Sequence, residues 1–274
     1  MQILGVDFSG AQANNNTWLA RGLLEAGGLT LYSCRPVSRG ELTEILSSLA
    51  GPAVAALDFP FSVPLEFARY WQPEAAGMPQ LWAAAADMQF DQFMAMRDAF
   101  VAQWGEPKRR CDTYHPESFS CLHKVNPNMV PMTFQGMRLL HHLGLTNYAV
   151  PPLEAPPGAS TTLLEAMPGA ALKALGLPYK GYKNGARNAQ LRREILDGLA
   201  ARSSVPIENL EEFREKCLAS HDCLDAVVAA VVAALWGRDR ASFRHPAGVD
   251  QGQLDPTTLI EGWLYAPVLL REAF

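Results

Sequence analysis

The chain has 274 residues, of which 49% are hydrophobic and 19% charged, as expected for a soluble globular protein with a sizeable core. Its net charge of −5 gives no global electrostatic case for nucleic-acid binding, so any such contact must be a local patch. The longest apolar run, residues 226–236, is too short to span a bilayer. The five cysteines show no framework spacing and the first residues lack a signal-peptide pattern, which predicts a cytoplasmic protein without membrane contact.

Four strands and one helix are predicted before Pro60. The strands are expected at residues 3–8, 17–24, 29–35 and 53–57, because each is a short apolar run bounded by turn residues. The second and third strands are joined by Glu25-Ala-Gly-Gly28, which favours a hairpin. Ser38 is expected to cap the helix, and Gly51-Pro52 to stop it.

The composition changes at about residue 66, where a stretch rich in Met, Trp, Phe and Pro begins and continues to residue 159. One amphipathic helix is predicted within it, at 83–104, and a fifth strand follows it at 161–166. Further helices are expected at 169–175, 187–201 and 207–218 and from His221 onward, and residues 259–270 are interpreted as a strand or edge segment. This order predicts one α/β domain over residues 1–274, with a mainly helical insertion at 66–159 between strands four and five.

Acidic residues recur at the ends of the predicted strands. Asp7, Asp58 and Glu165 each close, or nearly close, an apolar strand, and functional groups gather at the carboxyl ends of strands in open α/β sheets. Asp222 and Asp225 are spaced to share one face of the apolar helix. Several carboxylates in a small volume cannot all stay ionised without a cation, and oxygen ligands of this kind select Mg²⁺ or Mn²⁺. A divalent-metal site is therefore predicted.

Each of these acids also has a structural interpretation. Asp7 and Asp58 suit turns, and Asp222 suits a helix N-cap. Glu165 is harder to explain in this way, because acids inside apolar strands are uncommon. The metal hypothesis takes Asp7, Asp58, Glu165 and Asp225 as ligands and adds Asp222 as a fifth catalytic candidate.

Four motifs occur in an order that resembles the domain of unknown function 429 family, a group of predicted nucleases with the ribonuclease H fold. They are Gly5-Val-Asp7-Phe-Ser-Gly10, Leu57-Asp58-Phe-Pro-Phe61, Leu164-Glu165-Ala-Met-Pro168 and Asp222-Cys-Leu-Asp225-Ala226. Met132-Thr-Phe-Gln135-Gly-Met-Arg138 is also similar to the family, and the last helix is similar to that of Holliday-junction resolvases.

The resemblance implies a ribonuclease H-like α/β fold, with a central mixed five-stranded sheet flanked by helices. It also implies that Asp7 is the central metal ligand and that Asp58, Glu165, Asp222 and Asp225 complete the site. Five acids exceed the usual four, so one of Asp58, Glu165 and Asp222 is expected not to bind the metal directly.

A basic segment follows the fifth strand. No acid lies between Glu165 and Glu194, whereas the segment carries Lys173, Lys180, Lys183, Arg187, Arg192 and Arg193. Tyr179 and Tyr182 interleave with these cations, a combination that suits stacked bases and phosphates. Substrate contacts are expected from Ser9, Lys180, Tyr182, Lys183 and Arg187; the alternative is a solvated helix surface. A smaller basic cluster, Lys108-Arg109-Arg110, is interpreted as an exposed loop.

Alanines along the last helix, including Ala226, Ala229, Ala230 and Ala233, form a flat stripe that predicts close packing against the sheet. Such packing would bring Asp225 within reach of Asp7, so Ala229→Leu is expected to lower activity by displacing the helix.

The leading hypothesis is a Mg²⁺- or Mn²⁺-dependent phosphodiesterase that cleaves nucleic acid, with two ions clamping the attacking and leaving oxygens. A second hypothesis takes Asp7-Phe-Ser-Gly10 as a phosphate loop of the actin and sugar-kinase type, although that superfamily uses two such loops. A third is a catalytically silent ribonuclease H-like scaffold whose Met- and Trp-rich insertion binds a protein partner.

Overall fold

A six-stranded mixed sheet flanked by helices forms the centre of the computed structural model, which describes residues 1–11, 16–125, 127–249 and 252–268. The strands are β1 Gln2–Asp7, β2 Thr17–Leu24, β3 Leu29–Val37, β4 Ala53–Asp58, β5 Tyr148–Ala149 and β6 Thr161–Glu165, in the order β3-β2-β1-β4-β6-β5. β1 to β3 are antiparallel, whereas β4, β5 and β6 continue the sheet in parallel. The predicted count of five strands is therefore wrong by one, because β5 is too short to produce an alternating pattern.

Ten α-helices are present in the described residues. They are α1 Arg39–Ser47, α2 Leu65–Trp71, α3 Met78–Ala86, α4 Phe90–Trp104, α5 Val130–Leu143, α6 Pro168–Ala174, α7 Asn188–Arg202, α8 Arg214–Ala219, α9 His221–Arg238 and α10 Pro256–Glu261. None of them is long and apolar enough to cross a membrane.

Three of the predicted elements differ from the structure. The helix predicted at 207–218 begins only at Leu210, as a 3₁₀ turn over Leu210–Phe213, and continues as α8. The helix predicted at 83–104 is two helices, α3 and α4, because Gln89 and Gln92 form a capping box that starts a new helix. The strand predicted at 259–270 is wrong at its start, where α10 continues to Glu261, and beyond it Leu264 makes only an isolated bridge to Glu165. Residues 269 and 270 lie outside the described part of the chain.

The two faces of the sheet are covered by different helices. Ile3, Ala56 and Leu164 pack in one core cluster with α9, whereas Leu57 and Leu163 pack in a second cluster with the helices of the predicted insertion. The large rings of the insertion fill this second core; Phe93 and Trp82 are among its buried members. Because side chains alternate along a strand, the face to which each strand-end acid points is set by its register.

Helix α9 lies directly against β1, as the alanine stripe predicted. A Cβ atom on Gly5 would lie 2.1 Å from the backbone nitrogen of Ala230 and 2.2 Å from the carbonyl oxygen of Ala226. Only glycine permits this approach, because any side chain would collide with the helix backbone. The start of α9 is therefore held at the carboxyl end of β1.

Candidate metal centre

Three of the predicted acids converge between the sheet and α9. One carboxylate oxygen from each of Asp7, Asp58 and Asp225 lies within 4.8 Å of the other two. Asp7 and Asp58 are register partners at the ends of the parallel strands β1 and β4. Asp225 projects from the first turns of α9 and is fully buried. The parallel pairing and the close helix contact at Gly5 together create the cluster.

The cluster contains more negative charge than its surroundings stabilise. Burial, followed by the charges of Asp225 and Asp58, raises the pKa of Asp7 well above its ordinary value. Burial is also the main cause that raises the pKa of Asp58 to about 7, and the charge of Asp225 adds to it. Without added positive charge, these carboxyl groups therefore retain protons at a pH where exposed aspartates are ionised.

Lys183 supplies part of the missing positive charge. Its Nζ lies 2.7 Å from Oδ2 of Asp225, although the side chain is 48% exposed. Burial of the ammonium opposes ionisation, but the charges of Asp225, Asp58 and Asp7 outweigh it and raise the pKa of Lys183. Lys183 was predicted as a substrate contact, and the structure brings it into the carboxylate cluster.

Tyr182 and Arg192 have roles other than those predicted. The Tyr182 hydroxyl donates to Oδ1 of Asp225 at 2.7 Å, and its side chain is only 2% exposed, so its ring is not available to stack a base. Arg192 is buried and donates to the carbonyl oxygens of Tyr182 and Lys183 at 2.8 and 3.1 Å. Arg192 thus fixes the backbone that presents both side chains to Asp225.

Glu165 does not join the cluster, which corrects its prediction as a metal ligand. Arg109 donates from its two terminal nitrogens to the two carboxylate oxygens of Glu165, and the Phe61 N–H donates to Oε2 at 2.8 Å. Glu165 is the register partner of Leu57, one position before Asp58, so its side chain points to the opposite face of the sheet. There it meets the insertion instead of α9.

Arg109 also corrects the interpretation of Lys108-Arg109-Arg110 as an exposed loop. Its side chain is only 2% exposed and pairs with Asp112 as well as Glu165. Because a charged glutamate is rarely buried without a partner, the position of Glu165 in an apolar strand already indicates that a cation pairs with it. The sequence does not show which of the many distant cations is that partner.

Asp222 lies beside Asp7 at the edge of the cluster. Burial would raise the pKa of Asp222, but hydrogen bonding with His221 and with Asp7 lowers it overall. The alternative role of Asp222 as a helix cap is wrong, because Ser220 caps α9 and accepts the Cys223 N–H. Asp222 is thus an ionised group at the rim of the cluster.

A cleft of about 1090 Å³ opens above these acids. Asp7, Asp58 and Asp222 line it, and so do the predicted substrate contacts Ser9, Lys180, Tyr182 and Lys183. The predicted insertion contributes residues 116–119, 127–129, 131 and 132 to the lining. Arg187, the remaining predicted contact, is exposed at the start of α7 and is not among the described residues that line the cleft.

Comparison with protein-family models identifies the group to which the chain belongs. The model described as "Protein of unknown function (DUF429)" matches residues 5–249. The chain therefore belongs to the domain of unknown function 429 family, which confirms the resemblance noted in the sequence. No curated protein and no solved structure matches the chain. The matched range includes the cluster residues Asp7, Asp58 and Asp225.

Proposed function

We propose that the chain is a divalent-metal-dependent phosphodiesterase that acts on nucleic acid and has a ribonuclease H-like fold. The proposal for the fold is supported by the strand order, in which an antiparallel β1–β3 meander continues into the parallel strands β4 and β6. The proposal for the activity is carried by one observation, the convergence of Asp7, Asp58 and Asp225 beside an open cleft.

The donor set fits Mg²⁺ or Mn²⁺. Asp7, Asp58 and Asp225 offer carboxylate oxygens within 4.8 Å of one another, and such ions prefer oxygen ligands. The raised pKa values of Asp7 and Asp58 indicate a site that is short of positive charge. When bound, the ion would polarise a phosphoryl oxygen and lower the pKa of water.

The neighbouring side chains have complementary tasks. The ammonium of Lys183 lines the cleft and attracts a phosphodiester oxygen. Asp222 has a lowered pKa, so it stays ionised near neutral pH and orients a water molecule by accepting its hydrogen bond. The Tyr182 hydroxyl holds Asp225 in place through its hydrogen bond to Oδ1.

The proposed function is tested by cleavage of labelled single-stranded, duplex, junction, RNA and hybrid substrates in Mn²⁺. Asp7→Asn should lower the cleavage rate by about 100-fold or more, because loss of groups that merely support metal ligands already costs 10- to 100-fold. Asp87→Asn, at an exposed position after α3, is the control and should cleave like wild type.

Calorimetric titration with Mn²⁺ provides an independent measurement, in which Asp7→Asn should bind the ion much more weakly than wild type. A wild-type protein that cleaves no substrate and binds no Mn²⁺ would contradict the proposal. The scaffold alternative would then be the hypothesis to pursue.

A further inference from the structure

The chemistry of the cleft identifies the kind of substrate that the proposed phosphodiesterase takes. We infer that the cleft binds a single unpaired nucleotide, with its base against the insertion and its phosphate at the carboxylate cluster, and that it does not bind a duplex. This inference rests on the proposed function. A free nucleoside phosphodiester and the end of a single strand present the same chemical groups, so the inference includes both.

The first argument concerns charge. Double-stranded DNA carries one negative charge about every 1.7 Å along its axis, so proteins that bind it present several cations to its phosphates. Two cations of the predicted basic segment are committed within the protein. Lys173 pairs with Glu117 at 2.7 Å, and Arg192 donates to buried carbonyl oxygens. The segment is therefore not a continuous track for a duplex backbone.

The second argument concerns the apolar part of the cleft lining. The insertion and the turn before α6 line the cleft with apolar side chains, namely Pro116, Phe119, Met129, Pro131, Met132 and Met167. Such a wall contributes little to binding a phosphate backbone, but it suits the flat apolar face of a base. A nucleotide carries both a phosphate and a flat apolar base, so a single ligand matches both the carboxylate cluster and the apolar lining.

Phe119 is the side chain best placed to stack a base. It lines the cleft and is 46% exposed, so one face of its ring is accessible to a ligand. His123 is stacked on it with ring centroids 4.8 Å apart and an interplanar angle of 22°. The imidazole fixes the orientation of the phenyl ring and covers one of its faces, so the ring acts as a preorganised platform.

The third argument concerns size. Sites for small molecules enclose roughly 300–1,000 Å³, and this cleft of about 1090 Å³ lies just above that range. It accommodates a nucleotide with part of its neighbour.

Two chromogenic phosphodiesters test the inference in Mn²⁺: thymidine 5′-(4-nitrophenyl phosphate) and methyl 4-nitrophenyl phosphate. In both, water forms the new P–O bond, 4-nitrophenolate leaves with the electrons of the broken P–O bond, and the proton of the water goes to solvent. Stacking of one base corresponds to about 5- to 150-fold, so kcat/KM should be higher for the nucleoside diester by a factor in that range.

The contribution of Phe119 is measured with three variants. Phe119→Ala should lower kcat/KM for the nucleoside diester by the same factor and leave the methyl diester unchanged. Phe119→Trp should restore stacking. Tyr32→Ala, at an exposed aromatic position on β3 far along the sheet order from β6, should leave both substrates unchanged.

Competition experiments distinguish a free nucleotide from a strand end, and they separate failure of this inference from failure of the proposed function. Stronger inhibition by a short single strand than by thymidine 5′-monophosphate identifies a strand end as the ligand, equal inhibition identifies a free nucleotide, and either supports the inference. Stronger inhibition by the corresponding duplex overturns it. Equal hydrolysis of the two diesters, unaffected by Phe119→Ala, overturns the inference and leaves the phosphodiesterase standing.

If neither diester is hydrolysed, no member of the nucleic-acid panel is cleaved and no Mn²⁺ is bound, the proposed function fails. Binding of thymidine 5′-monophosphate by calorimetry then decides the nucleotide site. Binding that weakens in Phe119→Ala supports it, and absence of binding or equal binding by the variant overturns it.

Discussion

Two groups of carboxylates lie at the ends of neighbouring strands, and they differ in how much positive charge surrounds them. At the end of β6, Glu165 is bound by both terminal nitrogens of Arg109 and by the Phe61 N–H. At the ends of β1 and β4, the carboxylates of Asp7 and Asp58, together with that of Asp225, face the ammonium of Lys183, which is half exposed. The first group is satisfied within the protein, whereas the second remains short of cations.

This difference separates a structural group from a candidate metal centre. A buried carboxylate with a bidentate arginine partner has its charge and lone pairs satisfied, so a metal ion would gain little by displacing the arginine. Carboxylates that repel one another gain stability from any cation that reaches them. An acid at the end of a strand is therefore informative only once its partners are known.

The largest effect is expected when the satisfied group is broken. Arg109→Met leaves Glu165 and Asp112 buried without their cation, so the free energy of unfolding should fall by about 3–5 kcal/mol. Arg110→Met is the matched control, because Arg110 pairs with Asp255 at the surface and should change stability by about 0–1 kcal/mol. Urea denaturation of both variants measures the difference. Equal losses would show that the burial of Arg109 has no special role.

A smaller effect is expected from widening the contact that holds the candidate metal centre together. Gly5→Ala places a methyl group against the α9 backbone at Ala226 and Ala230, and such overpacking costs about 1–3 kcal/mol. Because α9 must shift to relieve it, binding of Mn²⁺ should also weaken. Gly40→Ala, in α1 with no atom closer than 3.8 Å to the added Cβ, is the control and should keep wild-type affinity. Unchanged Mn²⁺ affinity in Gly5→Ala would contradict this dependence on the helix position.

Much of this architecture could be predicted from the sequence, because it depends on local patterns. Alternating or continuous apolar runs predicted five of the six strands, and the alanine stripe predicted the close packing of α9 against the sheet. The convergence of Asp7 and Asp58 followed from the rule that carboxyl ends of parallel strands share one edge. These signals are all contained within single elements or in their order along the chain.

The different position of Glu165 could not be predicted in this way. The same pattern, an acid closing an apolar strand, occurs at Asp58 and Glu165, but pairing between strands aligns Glu165 with Leu57. A shift of one residue places a side chain on the other face of the sheet, and no property of an isolated strand specifies its register. The ion pair with Arg109 joins residues 56 positions apart, so its formation depends on the packing of the whole insertion.

The pH dependence of stability should also reveal the raised pKa of Asp58. Folding raises the pKa of Asp58 from its ordinary value of 3.8 to about 7, so the folded state binds more protons than the unfolded state between these values. Stability attributable to Asp58 is therefore greatest below the lower value and is lost as the pH rises towards 7. In metal-free protein, the melting temperature of Asp58→Asn relative to wild type should increase from pH 5 to pH 8.

Mn²⁺ should reverse this loss of stability, since it neutralises the carboxylate charges that form at high pH. The increase in wild-type melting temperature on adding Mn²⁺ should be larger at pH 8 than at pH 5, and Asp87→Asn should behave like wild type. A pH-independent difference between Asp58→Asn and wild type would contradict the raised pKa.

The smallest effect concerns Lys183, the cation that the centre already contains. Its Nζ lies 2.7 Å from Oδ2 of Asp225, so an incoming ion competes with the ammonium for the same carboxylate. Ion pairs with an exposed partner contribute up to about 1 kcal/mol, so Lys183→Met should bind Mn²⁺ more tightly by a factor of up to about 5. Lys183→Arg keeps the positive charge and should bind Mn²⁺ like wild type. Lys180→Met is a second control, because the ammonium of Lys180 lies over the Tyr179 ring in the same cleft, and this variant should also keep wild-type Mn²⁺ affinity. Weaker Mn²⁺ binding by Lys183→Met would show that the ammonium supports the ion, because the centre would then accept both cations together.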